Sequence, residues 1–144
     1  MLTSCSDREV YSRTHTLDDV WTYADSLVFD YNIQDTLMPY NVVLTIRHSD
    51  EYAFENLYIQ ASTLFPDGRL VSSPVSLELA NEQGQWIGKC SGHICKAEIE
   101  MASRAYFQVP GDYRLVLKQF SRMESLEGVL SVQLKIVQSD DKKG

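Results

Sequence analysis

Apolar and polar residues alternate along most of this chain with a period of two, the signature of half-buried β-strands. Between positions 41 and 47, Val42, Leu44 and Ile46 fall on one face, opposite Asn41, Val43, Thr45 and Arg47. Leu57, Ile59, Ala61, Thr63 and Phe65 repeat the pattern, and Pro66-Asp67-Gly68 follows. That triplet supplies a fixed φ, a local side-chain acceptor and a residue free to take positive φ, which predicts a reversal of the chain. The same alternation marks Leu27, Phe29, Tyr31 and Ile33; Val75, Leu77 and Leu79; Tyr113, Leu115 and Leu117; and Leu130, Val132, Leu134 and Ile136. Residues 9 to 16 form a more polar strand that suits a sheet edge, and Pro74 restricts its own strand to an edge or a bend. Residues 97 to 109 read as strand throughout.

About eight strands result, with almost no helical period. Residues 18 to 25 admit a short helix or a loop packed down by Trp21. Residues 48 to 56 are too long for a tight turn, with Tyr52 and Phe54 expected to pin the loop, and residues 81 to 96, with three glycines and two cysteines, read as a long ordered loop. Both connections suit crossovers between packed sheets. The expected fold is an all-β, two-sheet antiparallel β-sandwich, jelly-roll-like.

Size and charge narrow the picture. At 144 residues with 44% hydrophobic content, the chain is one ordinary domain. We place that domain at residues 9–138, with an N-terminal tether at 1–8 and a polar tail at 139–144. A formal charge of -7 opposes binding to nucleic acid, where affinity comes from clustered Lys and Arg. No run reaches the roughly 18 apolar residues of a membrane helix.

Catalytic and metal signatures are sparse. Neither a Gly-x-Ser-x-Gly elbow nor a phosphate loop occurs in the sequence. The pairs Asp18 with Asp19 and Asp50 with Glu51 lack the pattern of a calcium loop and read as solvated acids, and His15 and His48 read as structural. Cys90, His93 and Cys95 fall short of the four ligands of a structural zinc site, which leaves a disulfide, free thiols or a metal site open, with the disulfide favoured in an oxidising compartment. No catalytic residue, metal site or cofactor is expected. Tyr40, Tyr52, Tyr58 and Trp86 form a candidate binding surface, since planar aromatics on a sandwich can stack on sugar rings, although core packing is their commoner role. Residue chemistry alone leads to a binding or scaffold domain.

Leu2-Thr3-Ser4-Cys5 looks like a bacterial lipobox, the site at which a cysteine is lipidated. A secretory signal needs roughly 7 to 15 apolar residues ahead of such a site, so the expectation is a signal region upstream of the present start. Beyond it, Val10-Tyr11, Pro39-Tyr40-Asn41, Leu44, Ile46-Arg47, Tyr52, Asn56-Leu57-Tyr58 and Phe65-Pro66-Asp67-Gly68 resemble the gliding motility lipoprotein family GldH of the Bacteroidetes. The resemblance continues through Gly84-Gln85-Trp86-Ile87-Gly88-Lys89, Gly111-Asp112-Tyr113, Gln119 and Leu126-Glu127-Gly128-Val129, and covers nearly the whole chain. Departures occur after Lys89, where the family runs on with glycine and an aromatic, and at Phe120-Ser121-Arg122-Met123, where the family has a Met-Arg pair.

The resemblance implies an exported protein held by lipid on Cys5 in the cell envelope, at the outer membrane. Two or more acyl chains on one cysteine anchor stably where one binds only marginally. It further implies a non-catalytic scaffold or interaction component of the gliding-motility-associated machinery, whose partners are envelope proteins of the motility or secretion apparatus. A carbohydrate-binding module on the envelope is the alternative.

Overall fold

The computed structural model describes residues 7–139, so Cys5 and the end of the polar tail lie outside the described residues. Eleven strands run in chain order: β1 Asp7–Thr16, β2 Val20–Thr22, β3 Leu27–Ile33, β4 Tyr40–Ser49, β5 Asn56–Leu64, β6 Leu70–Glu78, β7 Lys89–Ser91, β8 Ile94–Ala105, β9 Gly111–Gln119, β10 Ser125–Glu127 and β11 Val129–Ser139. Eight are long, as the alternation predicts, and β2, β7 and β10 have three residues each. Among the described residues there is no helix.

The long strands pair in nested order. β1 pairs with β11, β3 with β9, β4 with β8 and β5 with β6, all antiparallel. This winding distributes them over a five-stranded sheet, β1-β11-β4-β8-β7, and a four-stranded sheet, β3-β9-β5-β6, the arrangement of a jelly roll. The connection at 50 to 55 carries the chain from the first sheet to the second, and the connection after β6 carries it back, as the loop lengths predicted. Both polar or proline-bearing strands, β1 and β6, lie at edges.

Period two places one face of each long strand between the sheets. Leu44 and Ile46 of β4, Val132, Leu134 and Ile136 of β11, Ala97 of β8, Phe29 of β3, Leu57 and Ile59 of β5, Leu77 of β6 and Leu117 of β9 form the buried core. After β5, Gly68 takes φ 90°, its amide donates to the Phe65 carbonyl at 2.9 Å, and the Asp67 carboxylate accepts from the Arg69 amide at 3.0 Å. That is the reversal expected from Pro66-Asp67-Gly68.

Three local readings are revised. Residues 20 to 22 form β2, because Trp21 pairs across to Leu126 of β10 and both side chains are buried. The Asp25 carboxylate accepts from the Thr22 amide at 3.0 Å and hydroxyl at 2.9 Å, and the Trp21 indole donates to the Asp25 carbonyl at 2.9 Å, closing a tight turn in place of a helix. The stretch 81 to 96 is partly sheet: Ala80 bridges Trp86, and β7 forms a hairpin with β8. Finally, β8 stops at Ala105, where the pairing with β4 is interrupted by bulges and Arg104 takes φ 51°, so the strand does not reach position 109.

The pairing defines two poles. Asp7, Ser139, Tyr40 and Ala105 meet at one, and Thr16, Val129, Ser49 and Ile94 at the other. We call them the proximal and distal poles; the ten residues of β1 separate them by about 30 Å at 3.3 Å per residue. Trp21 closes the distal pole, so Trp21→Ala should destabilise the protein by about 3–5 kcal/mol. Urea unfolding followed by circular dichroism checks this value.

Candidate functional site

An apolar groove of about 540 Å³ opens at the distal pole between the 50–55 loop and the connection after β9. Phe54, Tyr58, Pro74, Phe120 and Met123 line it, with Tyr52, Asn56, Ser121 and Arg122. Four of these side chains face solvent: Phe54 is 41% exposed, Tyr58 46%, Phe120 56% and Met123 47%.

Both walls are held by hydrogen bonds. The Tyr52 hydroxyl donates to the Asn56 carbonyl at 2.8 Å, and the Asn56 amide donates to the Tyr58 hydroxyl at 3.2 Å. Opposite, buried Gln119 accepts through Oε1 from the Ser121 amide at 2.8 Å and hydroxyl at 2.7 Å, and donates through Nε2 to the Met123 carbonyl. The Tyr23 hydroxyl donates to the Ser121 carbonyl at 2.7 Å, and the Phe120 amide to the Tyr58 carbonyl at 2.8 Å. Exposed apolar groups on so fixed a frame lose little conformational entropy when covered.

The aromatic residues singled out from sequence separate. Tyr58 lines the groove and is exposed, but Tyr52, 6% exposed, forms its floor. Tyr40 is 2% exposed at the proximal pole, where its hydroxyl donates to the Asp35 carbonyl at 2.6 Å, so it presents no ring to a ligand. Trp86 is half-buried against His48, with ring centroids 4.6 Å apart, and does not line the groove. Phe54 packs edge-on against the Tyr52 ring at 5.7 Å within the loop and leaves 41% of its surface exposed to the groove. Sequence reasoning missed Pro74, Phe120 and Met123 as groove residues; the available signal was two large apolar side chains inside the polar connection between β9 and β10.

Behind the Trp86 ring, the β7–β8 hairpin turns at Gly92, with φ 64° at the first central position, the geometry of a II′ turn. Cys90 and Cys95 are cross-strand partners in it and are joined as a disulfide. Cys95 is buried opposite His48 of β4. The fully buried His48 places Nδ1 2.9 Å from the Ser49 carbonyl, the geometry of an Nδ1–H donor, while Nε2 has no partner. Burial lowers its proton affinity below the ordinary value of 6.5, against the opposing pull of the Ser49 carbonyl and Asp50. Among the described residues no three His, Cys, Asp or Glu side chains are placed to hold a metal ion.

The family model of the GldH lipoprotein matches residues 9–136, from β1 into β11. The chain belongs to the GldH lipoprotein family. It is 25% identical to the gliding motility lipoprotein GldH homolog of Christiangramia forsetii, over 98% of this chain and 91% of that protein. It is 24% identical to the gliding motility lipoprotein GldH of Flavobacterium johnsoniae, over 97% and 91%. Among solved structures, a carbohydrate-binding module specific for non-crystalline cellulose matches 90% of this chain and 73% of its own at 11% identity, with a TM-score of 0.44, a likeness that carries no functional argument.

Within this GldH-family chain, the glycine and tryptophan segment 84–89 covers His48, and the departure at 90–95 forms the bridged hairpin. Cys90 and Cys95 are expected to resist maleimide in the folded protein until reductant is added, and reduction should cost about 2 kcal/mol on the chain-entropy account of so small a loop. Mass spectrometry of the labelled protein reads the first, and urea unfolding the second.

His48 sets a second expectation. Below pH 6.5 the unfolded chain takes up a proton at this position while the folded ring stays neutral. Its contribution is therefore complete above that pH and is lost as pH falls, until the folded ring itself titrates. His48→Asn, which retains a donor for the Ser49 carbonyl, should flatten this part of the stability–pH curve relative to wild type in parallel urea titrations.

Proposed function

We propose that this GldH-family chain is a lipid-anchored lipoprotein of the cell envelope, tethered through Cys5 at the outer membrane. In this reading it serves the gliding-motility-associated machinery as a non-catalytic interaction component. Family membership supports the lipoprotein and motility parts of this reading, and so do relatives named as gliding motility lipoproteins.

The observation that carries the interaction role is the position of the aromatic groove. It lies at the distal pole, about 30 Å from the start of β1. A tether at Cys5 would hold the proximal pole at the membrane and turn the groove away from it. Phe54, Tyr58, Phe120 and Met123 supply the apolar anchor, and Arg122 at the rim supplies a cation for an acidic group. The partner that fits is an envelope protein presenting an apolar side chain beside an acid. The competing carbohydrate reading draws on the exposed rings of Tyr58 and Phe120, because flat aromatic faces also stack on sugars.

Tyr58→Asp and Phe120→Asp, made in the full-length lipidated protein, test the groove. Each change is at an exposed position and should leave unfolding free energy within about 0.5 kcal/mol of wild type. Crosslinking and pull-down from native envelopes should show partner capture falling at least about tenfold, with surface spreading reduced, as expected for loss of a hot-spot side chain. Capture and spreading at wild-type levels in folded variants would overturn the proposal, and recovery of polysaccharide in place of protein would establish the carbohydrate reading.

A further inference from the structure

A second opening, of about 430 Å³, lies between the two sheets on the side where β6 faces β8. The opposite side is sealed by side chains of β1 and β3: Tyr11 meets Tyr31 with centroids 5.6 Å apart, and His15 meets Phe29 at 4.8 Å. On the β6–β8 side the seal is incomplete for two reasons. The flanking strand β7 pairs only with residues 94 to 96, so the proximal half of β8 has no outer neighbour in the sheet. Small side chains, Ala61, Ala102 and Ala105, also stand where larger ones would fill the gap. Inward residues here, Val75 and Met101 among them, are consequently only half-buried, whereas Leu44 and Leu117 deeper in the same opening are fully buried.

The chemistry of the lining restricts the ligand. No charged side chain contributes to it, and its polar atoms are confined to hydroxyl groups and main chain. A peptide would bring amide and carbonyl groups that this lining cannot pair at sufficient number, at a cost of about 1–3 kcal/mol for each one buried without a partner. The slot lies between sheets that pack about 10 Å apart, so it is one chain deep. Its volume falls within the roughly 300–1,000 Å³ of small-ligand sites. A narrow, uncharged slot accepts an unbranched aliphatic chain, with any polar head remaining at the mouth.

The location agrees with that ligand. Asp7 pairs with Ser139, Gln138 with Tyr40, and Tyr40 with Ala105, so the opening lies toward the pole at which β1 begins. We infer that the β6–β8 opening is a binding site for one acyl chain of a membrane lipid. Proximity to the membrane rests on the Cys5 tether proposed above, whereas the fit of the chain rests on the cavity alone.

Palmitate, below the concentration at which it forms micelles, is the probe. The protein is the Cys5→Ser chain, which carries no acyl group of its own. Native mass spectrometry should show a one-to-one complex in this protein and in its Phe120→Asp derivative. Ala102→Leu and Ala61→Leu each add bulk inside the slot and should weaken the complex at least about tenfold. Thermal unfolding identifies which filled variants fold, and two are made so that failure of one leaves the other. Absence of the complex overturns the inference, as does its persistence in a folded filled variant. Loss in Phe120→Asp with retention in the filled variants would place the chain in the distal groove and overturn it equally. Failure of the filled variants or absence of the complex leaves partner capture by the groove untouched, so the two proposals fail on different readouts.

Discussion

The C-terminal strand β11 lies between β1 and β4, and the five-stranded sheet has no continuity without it. Its Val132, Leu134 and Ile136 are all buried, so the last long stretch of sequence supplies a central row of the core. Nested pairing extends this dependence inward through β3 with β9, β4 with β8 and β5 with β6. Only the last of these is a local hairpin. Closing such distant segments costs loop entropy before the core returns any stabilisation, which makes the whole assembly cooperative and comparatively slow to form.

This winding also gives the two poles different characters. At the distal pole, short elements thicken the structure: β2 with β10 buries Trp21, and the bridged hairpin with Trp86 covers His48. The groove is set into that reinforced end, with Gln119 fixing one wall and Tyr52 the other. At the proximal pole, Tyr31, Tyr40, Phe65, Phe107 and Tyr113 form a connected aromatic cluster, with Tyr31 and Tyr113 stacked at 5.4 Å. Burial raises the phenol of Tyr31 above its ordinary range. Beside it the sheets part along β6 and β8, where small residues leave space.

Much of this was legible in the sequence because strand period, turn triplets and loop length are local signals. Leu57 through Phe65 followed by Pro66-Asp67-Gly68 gave a strand and its reversal, and the long 48–56 and 81–96 connections announced changes of sheet. The GldH resemblance was likewise carried by ordered motifs. Tyr40 and Tyr58 show how far period reaches: Tyr40 continues the face of Val42, Leu44 and Ile46 and is buried, whereas Tyr58 lies opposite Leu57 and Ile59 and is exposed. What period does not encode is which outward residue meets a second wall: Tyr58 faces Phe120 and Met123 across the groove because of how the loops at the distal pole are placed. Phe120 and Met123, in the connection after β9, acquire their role by meeting Phe54 of the 50–55 loop and Tyr58 of β5, distant in sequence, a juxtaposition set by the β5–β9 pairing.

The pairing of Asp7 with Ser139 brings both ends of the described chain to one pole. A mechanical load applied between that pole and a partner seated at the other would run parallel to the strand axis. In that direction the β1–β11 ladder is loaded in shear, and its cross-strand bonds resist together. A pull across the sheet would instead peel them in sequence, at far lower force. The jelly-roll winding therefore suits a molecule that transmits tension along its length, with the first and last strands acting as a single tie.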